Sequence, residues 1–366
     1  MIRVVHMTTA HARNEVRVFL KECCSLASAG YEVHLLVADG LGAAVSGQVT
    51  IHDAGRVQGR FQRMLVLPWR MLLLARSLHA RVYHFHEPEL LLIALFLQLS
   101  GARVVYDSHE DVPRAILSRE WIGLRLRRGV SRVFEAFENF TTRRITGVIG
   151  ATDHIARRFA GINPRSVAIN NFPLESEVDS DGARAPIDRT VCYVGAITRG
   201  RGIFEIMQAL ELADARLLLA GPFESEAVEA ELRRLPGWQR VDYRGQVNRA
   251  EVRKIMAQAH AGLLFFHPEP NHVDAQPNKM FEYMSARLPV LASDFPLWTA
   301  ILGEAGAGLQ GNPMDANAIA KLIGAVLADP QGARAMGERG RQAVLTTYRW
   351  RHEEAKLLRF YSGLLA

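Results

Sequence analysis

Short apolar runs separated by stretches of helical periodicity recur along almost the whole chain. In the first half they predict strands at about residues 2–7, 31–38, 49–54, 81–86, 103–109, 147–151 and 166–170, with helical patterns between most of them. Runs with few polar interruptions are what strands covered on both faces require. Their alternation with helices predicts a parallel, doubly wound α/β unit. A second series follows, TVCYVGA, ARLLLAG, VDYRG, AGLLFF and PVLASD, with helices starting near Arg201, Ser225, Arg249 and Pro277, and predicts a second such unit. Between the two lies PLESEVDSDGARAPIDR, residues 173–189, which is acidic, carries Pro and Gly, has no periodicity and is the expected linker. From Ala316 the pattern is helical, and Trp350, Leu357, Leu358, Tyr361 and Leu365 form an apolar stripe near the end.

Composition agrees with two ordinary cores: the chain has 366 residues, 49% of them hydrophobic. It opens directly on a strand, IRVVHM, without the charged and apolar regions of a secretory signal. Its longest apolar run, LLLIALFLQL at residues 90–99, is far short of the roughly 20 residues of a membrane-spanning helix and reads as a buried helix of the first unit. Cys23, Cys24 and Cys192 do not make a disulfide framework and include no C-x-x-C pair, which fits a reducing cytoplasmic setting. Of the net charge of +6, all is accounted for by residues 51–144, where 15 Lys and Arg face 9 Asp and Glu.

The stretch DAQPNKMFEYMSARLPVLASD, residues 274–294, carries the most specific chemistry. Pro277 suits a first helical turn, Met280, Phe281, Met284 and Leu288 recur at helical spacing, and VLAS then reads as a buried strand. Amides at Asn278 and Lys279, the helix dipole and the Lys279 ammonium favour a phosphate. Glu282 shares their face. In YVGAITRGRGI a strand ends at Gly195, and Arg199 and Arg201 stand in the loop before the next helix, where arginines can grip a diphosphate. Upstream, VYHFHEPELL puts His84 and His86 on one side of a strand, and YDSHE ends the next strand at His109. His84 is expected in the core. His11, His86, His109, Glu87 and Glu110 could form a metal site, but none of them has helical metal-binding spacing, so no metal is expected. Gly306, Gly308 and Gly311 spell G-x-G-x-x-G outside the strand-to-helix context of a dinucleotide site and read as a turn. MTTAHARNEVR after the first strand lacks those glycines, which disfavours NAD.

On these residues the chain resembles the family 4 retaining glycosyltransferases. The pair Asp274 and Glu282, eight apart before a PV strand, is similar to that family's nucleotide-sugar signature, although Asp274 stands where a Glu is usual. The resemblance implies a GT-B fold, α/β with two Rossmann-like domains facing across a cleft. It places the acceptor domain at 1–172, completed by a C-terminal helix at 348–366 that crosses back. A linker at 173–188 and a donor domain at 189–347 follow. It implies that Glu282 binds the donor ribose, that Asp274 contacts the transferred sugar with Glu269 as a substitute, and that Gly195, Asn278 and Lys279 lie at the donor. Arg201 stands where the family has Lys-Gly, and Ala196 replaces its Gly-Arg, so that Arg199 takes over the lost charge. His109 faces the reacting carbon. His11, Glu15, Arg17 and His86 lie toward the acceptor, and Asn171 stands at the hinge. The implied chemistry is hexosyl transfer with retention, without a catalytic metal or other cofactor, from a nucleotide-sugar, UDP- before GDP-.

The implied acceptor is lipid-linked or saccharide, in cell-envelope polysaccharide or glycolipid synthesis. Two stretches add a membrane to the expected partners. GRFQRMLVLPWRMLLLARSLHAR and WIGLRLRRGVSRVFEAFENFTTRR mix arginines with large apolar side chains, and Arg56, Arg60, Arg63 and Arg70 are expected on one helical face. Such faces suit either ordinary helices of the α/β unit with snorkelling arginines or an anionic membrane surface, the second giving a cytoplasmic protein peripheral on the inner face of the plasma membrane. Nucleic acid is not expected, for want of a recognition motif. Alternatives from other classes are a GT-B sugar-nucleotide epimerase or hydrolase using His109 with carboxylates, and a non-catalytic nucleotide-sugar-binding subunit.

Overall fold

The computed structural model describes residues 1–119, 122–178 and 184–366. The chain divides into two compact units, Met1–Asn171 with Trp350–Ala366, and Phe172–Arg349.

The first unit is built on an eight-stranded sheet in the order β3-β4-β2-β1-β5-β6-β7-β8. The strands are β1 Arg3–Met7, β2 Glu32–Val37, β3 Ala44–Ser46, β4 Val49–Asp53, β5 Val82–Phe85, β6 Arg103–Ser108, β7 Gly147–Gly150 and β8 Ser166–Ala168. All pairs are parallel except β3 with β4. The order reverses between β1 and β5, so loops leaving their carboxyl ends part to opposite faces and open a crevice there. His6 of β1 is the register partner of His84 of β5. The inner strands β1, β2, β5, β6 and β7 are buried almost throughout, which is why they read as apolar runs with few polar interruptions.

The second unit carries a six-stranded parallel sheet, β11-β10-β9-β12-β13-β14. Its strands are β9 Thr190–Val194, β10 Arg216–Ala220, β11 Val241–Tyr243, β12 Gly262–Leu264, β13 Val290–Ser293 and β14 Gly308–Gly311. Here the reversal falls between β9 and β12. The glycine-rich stretch read as a turn is partly a strand: Gly306 ends the helix Pro296–Ala305 in the left-handed region at φ 56°, and β14 follows. A Cβ at Gly308 would lie 2.1 Å from the Val290 carbonyl oxygen, so glycine permits this edge strand to pair.

Three further expectations change. The 173–189 stretch docks on the second unit. It forms the short helix Glu175–Val178, Val178 is buried in that unit's core, and Ile187 donates its amide to the Gln258 carbonyl at 2.8 Å. Residues 179–183 of it lie outside the described residues. The run at 90–99 forms the helix Leu91–Leu99, buried only through Leu91, Ile93, Ala94 and Leu97, while Leu92, Phe96 and Leu99 are exposed. The last helix, Trp350–Leu365, packs on the first unit through Trp350, Leu357, Tyr361 and Leu364, with Leu364 rather than Leu365 inside. Glu353 joins that stripe and accepts the Asn170 amide at 2.8 Å.

Candidate functional site

In the second unit, the strand ends beside the reversal carry a cationic cradle. Gly195 follows β9 with φ 148° and Gly221 follows β10 with φ 140°. A Cβ on Gly221 would lie 1.8 Å from the Gly195 carbonyl oxygen, so the two turns approach as only glycine allows. A Cβ on Gly195 itself would meet Arg201 Nη1 at 3.6 Å and Lys279 Cε at 3.7 Å. Arg201 is held there by a single tight turn, Arg199–Arg201, closed by Gly202 at φ 65°, and its guanidinium lies 5.2 Å from the Phe266 ring centre. Lys279 belongs to the helix Asn278–Ser285, which Pro277 precedes in extended conformation as its cap instead of entering the first turn. That helix has no side-chain cap and no acid in its first turn, so its amino end keeps its positive character. Asn278 opens it and is exposed.

Lys279 Nζ donates to Glu282 Oε2 at 2.6 Å, which holds the carboxylate at the edge of the cradle. Beside Glu282 and Lys279 opens a cavity of about 370 Å³, lined also by Val252, Met256, Arg249 and Ser176. The structure thus brings together Gly195, Arg201, Lys279 and Glu282. Arg199 is directed elsewhere: its guanidinium pairs with Glu231 at 2.6 Å and lies over the Phe204 ring at 4.1 Å. Of the two candidate acids, Asp274 is exposed. Glu269 lies against the arginine turn, its Oε1 2.8 Å from where a Gly200 Cβ would stand. His267 and Glu205, paired at 3.1 Å, and His272 also border this turn and were not singled out from the sequence. The Gly200 carbonyl accepts the His267 amide at 2.8 Å. Burial lowers the His272 pKa.

The first unit holds the histidines singled out from the sequence, His11, His84, His86 and His109. His109 Nε2 lies 2.8 Å from Asp107 Oδ2, and His86 Nδ1 lies 3.1 Å from the same oxygen. Asp107 therefore accepts from both rings, leaving His109 Nδ1 as an acceptor. Burial opposes the Asp107 charge, but Arg17 and His109 hold its pKa well below the ordinary carboxylate range. His86, fully buried, is pushed down to about 4 by desolvation, which outweighs Asp107. His11 stands beside His109 with ring centres 5.0 Å apart, and its Nε2 is 3.7 Å from Glu87 Oε1. Burial raises the Glu87 carboxyl to about 7 against hydrogen bonds from Thr8 and the Thr9 amide.

Two residues expected toward the acceptor have structural places. Glu15 caps the helix Val16–Cys23, accepting the Val18 amide at 2.7 Å. Arg17 is buried on Asp107. Asn171, last residue of the first unit, accepts from Lys21 Nζ at 2.6 Å. Glu110 leaves the suggested metal set, since it is exposed and its carboxylate pairs with Arg119 at 3.1 Å. Asp107, which orients two of the histidines, was overlooked inside YDSHE although it precedes His109 by two.

The sequence matches the family model described as "Glycosyl transferase 4-like domain" over residues 16–174 and that described as "Glycosyl transferases group 1" over 178–343. The chain belongs to the group 1 glycosyltransferases, of the family 4 type, and is a glycosyltransferase with the GT-B fold. Similar solved structures include sucrose-phosphate synthase from Thermosynechococcus elongatus, 18% identical, TM-score 0.77, covering 100% of this chain and 99% of that one. HepE of Anabaena in complex with UDP-glucose is 14% identical with TM-score 0.72, covering 99% and 100%. WaaG, a glycosyltransferase involved in lipopolysaccharide biosynthesis, is 15% identical with TM-score 0.73, covering 97% and 98%. No curated protein matches the sequence significantly.

Proposed function

We propose that the chain transfers a hexosyl group from a UDP-sugar to a lipid-linked or saccharide acceptor with retention of configuration and without a metal at the diphosphate. The observation that carries this is the cradle of Gly195, Arg201 and Lys279 with Glu282 at its edge. Arg201, the Lys279 ammonium and the amino end of Asn278–Ser285 supply the positive charge that a metal would otherwise bring to a departing diphosphate. Glu282 takes the ribose hydroxyls, and the cavity beside it admits the base. Glu269, lying at the arginine turn, replaces Asp274 as the acid toward the transferred sugar. In the transfer the bond from the anomeric carbon to the phosphate oxygen breaks and the acceptor oxygen bonds on the same face. The acceptor proton passes to the departing phosphate oxygen. His109 accepts a hydroxyl at Nδ1, its ring fixed by Asp107. HepE has been solved with UDP-glucose and starch synthase IV of Arabidopsis thaliana with ADP, which supports a nucleoside diphosphate at this site.

A thermal-shift panel of UDP, GDP, ADP and CDP tests this, since a ligand at 100 times its Kd adds about 2.7 kcal/mol of stability. UDP should stabilise the wild type, and Glu282→Gln should lose about 1.5–3 kcal/mol of that binding. Unchanged affinity in the variant would remove Glu282 from the donor. Product formation that depends on added acceptor separates transfer from epimerisation or hydrolysis.

A second observation supports an acceptor at a membrane surface. The helices Gly59–Leu65, Leu67–Ser77, Leu91–Leu99 and Leu124–Thr142 are neighbours in the first unit. They leave Leu99, Leu124 and Phe61 84%, 77% and 74% exposed, with Leu73 and Val133 similar, among Arg60, Arg63, Arg125, Arg128 and Arg132. Single exposed apolar residues are ordinary; this many on adjoining basic helices suits an anionic lipid surface. Arg56 is not on that face, because it precedes the first of these helices, and the helix axis breaks between Leu65 and Leu67. No helix among the described residues is long and apolar enough to cross a membrane.

A further inference from the structure

We propose that His6, Glu22, His84 and His86 form a closed, structural zinc site inside the first unit. The fold assembles it. His6 and His84 are register partners on β1 and β5, His86 follows two residues after His84, and Glu22 reaches in from the helix Val16–Cys23. All four are buried. One donor atom from each lies within 4.8 Å of all the others. His6 Nδ1 is 3.0 Å from His86 Nε2, and Glu22 Oε2 is 3.9 Å from His6 Nδ1 and 3.8 Å from His84 Nε2. Ligand atoms held about 2.0–2.1 Å from a tetrahedral zinc stand about 3.3–3.4 Å apart, within the spread of these distances.

The far side of each ring is engaged as metal-binding imidazoles require. His86 Nδ1 lies 3.1 Å from Asp107 Oδ2, His84 Nδ1 lies 2.8 Å from the Tyr361 hydroxyl, and His6 Nε2 lies 3.4 Å from the same hydroxyl. The near side is only partly satisfied by protein, since His6 Nδ1 and His86 Nε2 lie within hydrogen-bond distance of each other. Both Glu22 oxygens and His84 Nε2 are buried and take part in no hydrogen bond. Oε1 has Arg17 Nε at 3.3 Å, which leaves Oε2 for the histidine side. Buried polar atoms are nearly always partnered, and Glu22 Oε2 and His84 Nε2, facing His6 Nδ1 and His86 Nε2, call for a ligand. Three imidazoles and one carboxylate suit zinc rather than magnesium or calcium, whose shells are mostly oxygen. Four protein ligands leave no open position, so the ion ties β1, β5 and the first helix together and is not a second catalytic centre.

The test is elemental analysis of full-length, tag-free protein purified without chelator, together with cobalt substitution. One zinc per chain is expected, and the Co²⁺ form should show the visible absorption of a tetrahedral ion. Glu22→Gln and His84→Gln should reduce the bound metal to background. Because either variant can fail to fold, the wild type is also refolded from denaturant and chelator with and without Zn²⁺, and the Zn²⁺ sample should melt higher. His52→Gln, which breaks the partly exposed His34–His52 pair, should keep its metal. Folded wild type with background metal and a Tm unmoved by Zn²⁺ or Co²⁺ would overturn the site and leave a water-filled polar pocket. Metal lost in His52→Gln and kept in Glu22→Gln would overturn it equally.

Discussion

Arg17 grips Asp107 with two prongs, Nε to Oδ2 at 3.0 Å and Nη2 to Oδ1 at 2.8 Å, and both side chains are buried. The pair joins the first helix to the end of β6, and Asp107 in turn fixes the rings of His86 and His109. Removing Arg17 leaves the buried Asp107 charge with only the two imidazoles, and breaking a buried pair costs about 3–5 kcal/mol. Arg17→Met should therefore lower stability in urea unfolding by about that much. Arg17→Met with Asp107→Leu should recover part of it. A loss below about 1 kcal/mol would mean that water reaches the pair.

Arg201 and Arg199 stand two residues apart yet should behave differently. Arg201 faces the Gly195 cradle, and leaving-group charge is greatest in the transition state. Arg201→Ala should lower kcat by about 10²–10³-fold with a smaller change in donor KM. Arg199 is half exposed on Glu231, so Arg199→Ala should leave turnover close to wild type and change stability by less than about 1 kcal/mol. Equal losses in steady-state kinetics would put both guanidinia at the diphosphate.

The limits of sequence reading follow from where each signal resides. Unbroken apolar runs such as TVCYV gave β9 away, because a strand covered on both faces needs nothing else. The edge strands β3 and β14 escaped because they span three and four residues and β14 begins and ends in glycine. At the donor side, Gly195, Lys279 and Glu282 were legible as a strand end and a helix start. Which arginine joins them was not, since Phe204 and Glu231 capture Arg199 only once the chain has folded. His6 was silent for the same reason: the register of β1 against β5 brings it to His84 across 78 positions, and Glu22 reaches the same place from a helix, as no local spacing could show.

Glu87 should print a pH dependence on stability. Its carboxyl is raised by burial to about 7 from an ordinary 4.5. The folded state thus binds more protons than the unfolded one between those values, and the contribution present below about 4.5 is lost as pH rises toward 7. Glu87→Gln cannot ionise. Relative to wild type, the variant should gain stability as pH rises through that window, by at most roughly 3 kcal/mol, and then level off. Urea unfolding of both proteins across the window reads this difference directly, so slopes that the histidines contribute to both cancel. A constant difference would show that Glu87 ionises normally.

The arginine-rich helices of the first unit yield the last prediction. If exposed Phe61, Leu73, Leu99 and Leu124 enter the headgroup region while Arg60, Arg63 and Arg128 meet lipid phosphates, binding has an apolar and an electrostatic part. Each arginine near the surface contributes about 1 kcal/mol. The protein should sediment with anionic liposomes and not with neutral ones. Salt should release it, because screening that shortens the Debye length to about 3 Å at 1 M removes the attraction to phosphate, which apolar insertion alone does not replace. Reversing Arg60, Arg63 and Arg128 to Glu should abolish sedimentation and slow transfer to a lipid-linked acceptor, with UDP binding unchanged because the cradle lies in the other unit. Equal recovery on neutral and anionic vesicles would reduce these arginines to solvated helix faces and turn the acceptor toward a soluble saccharide.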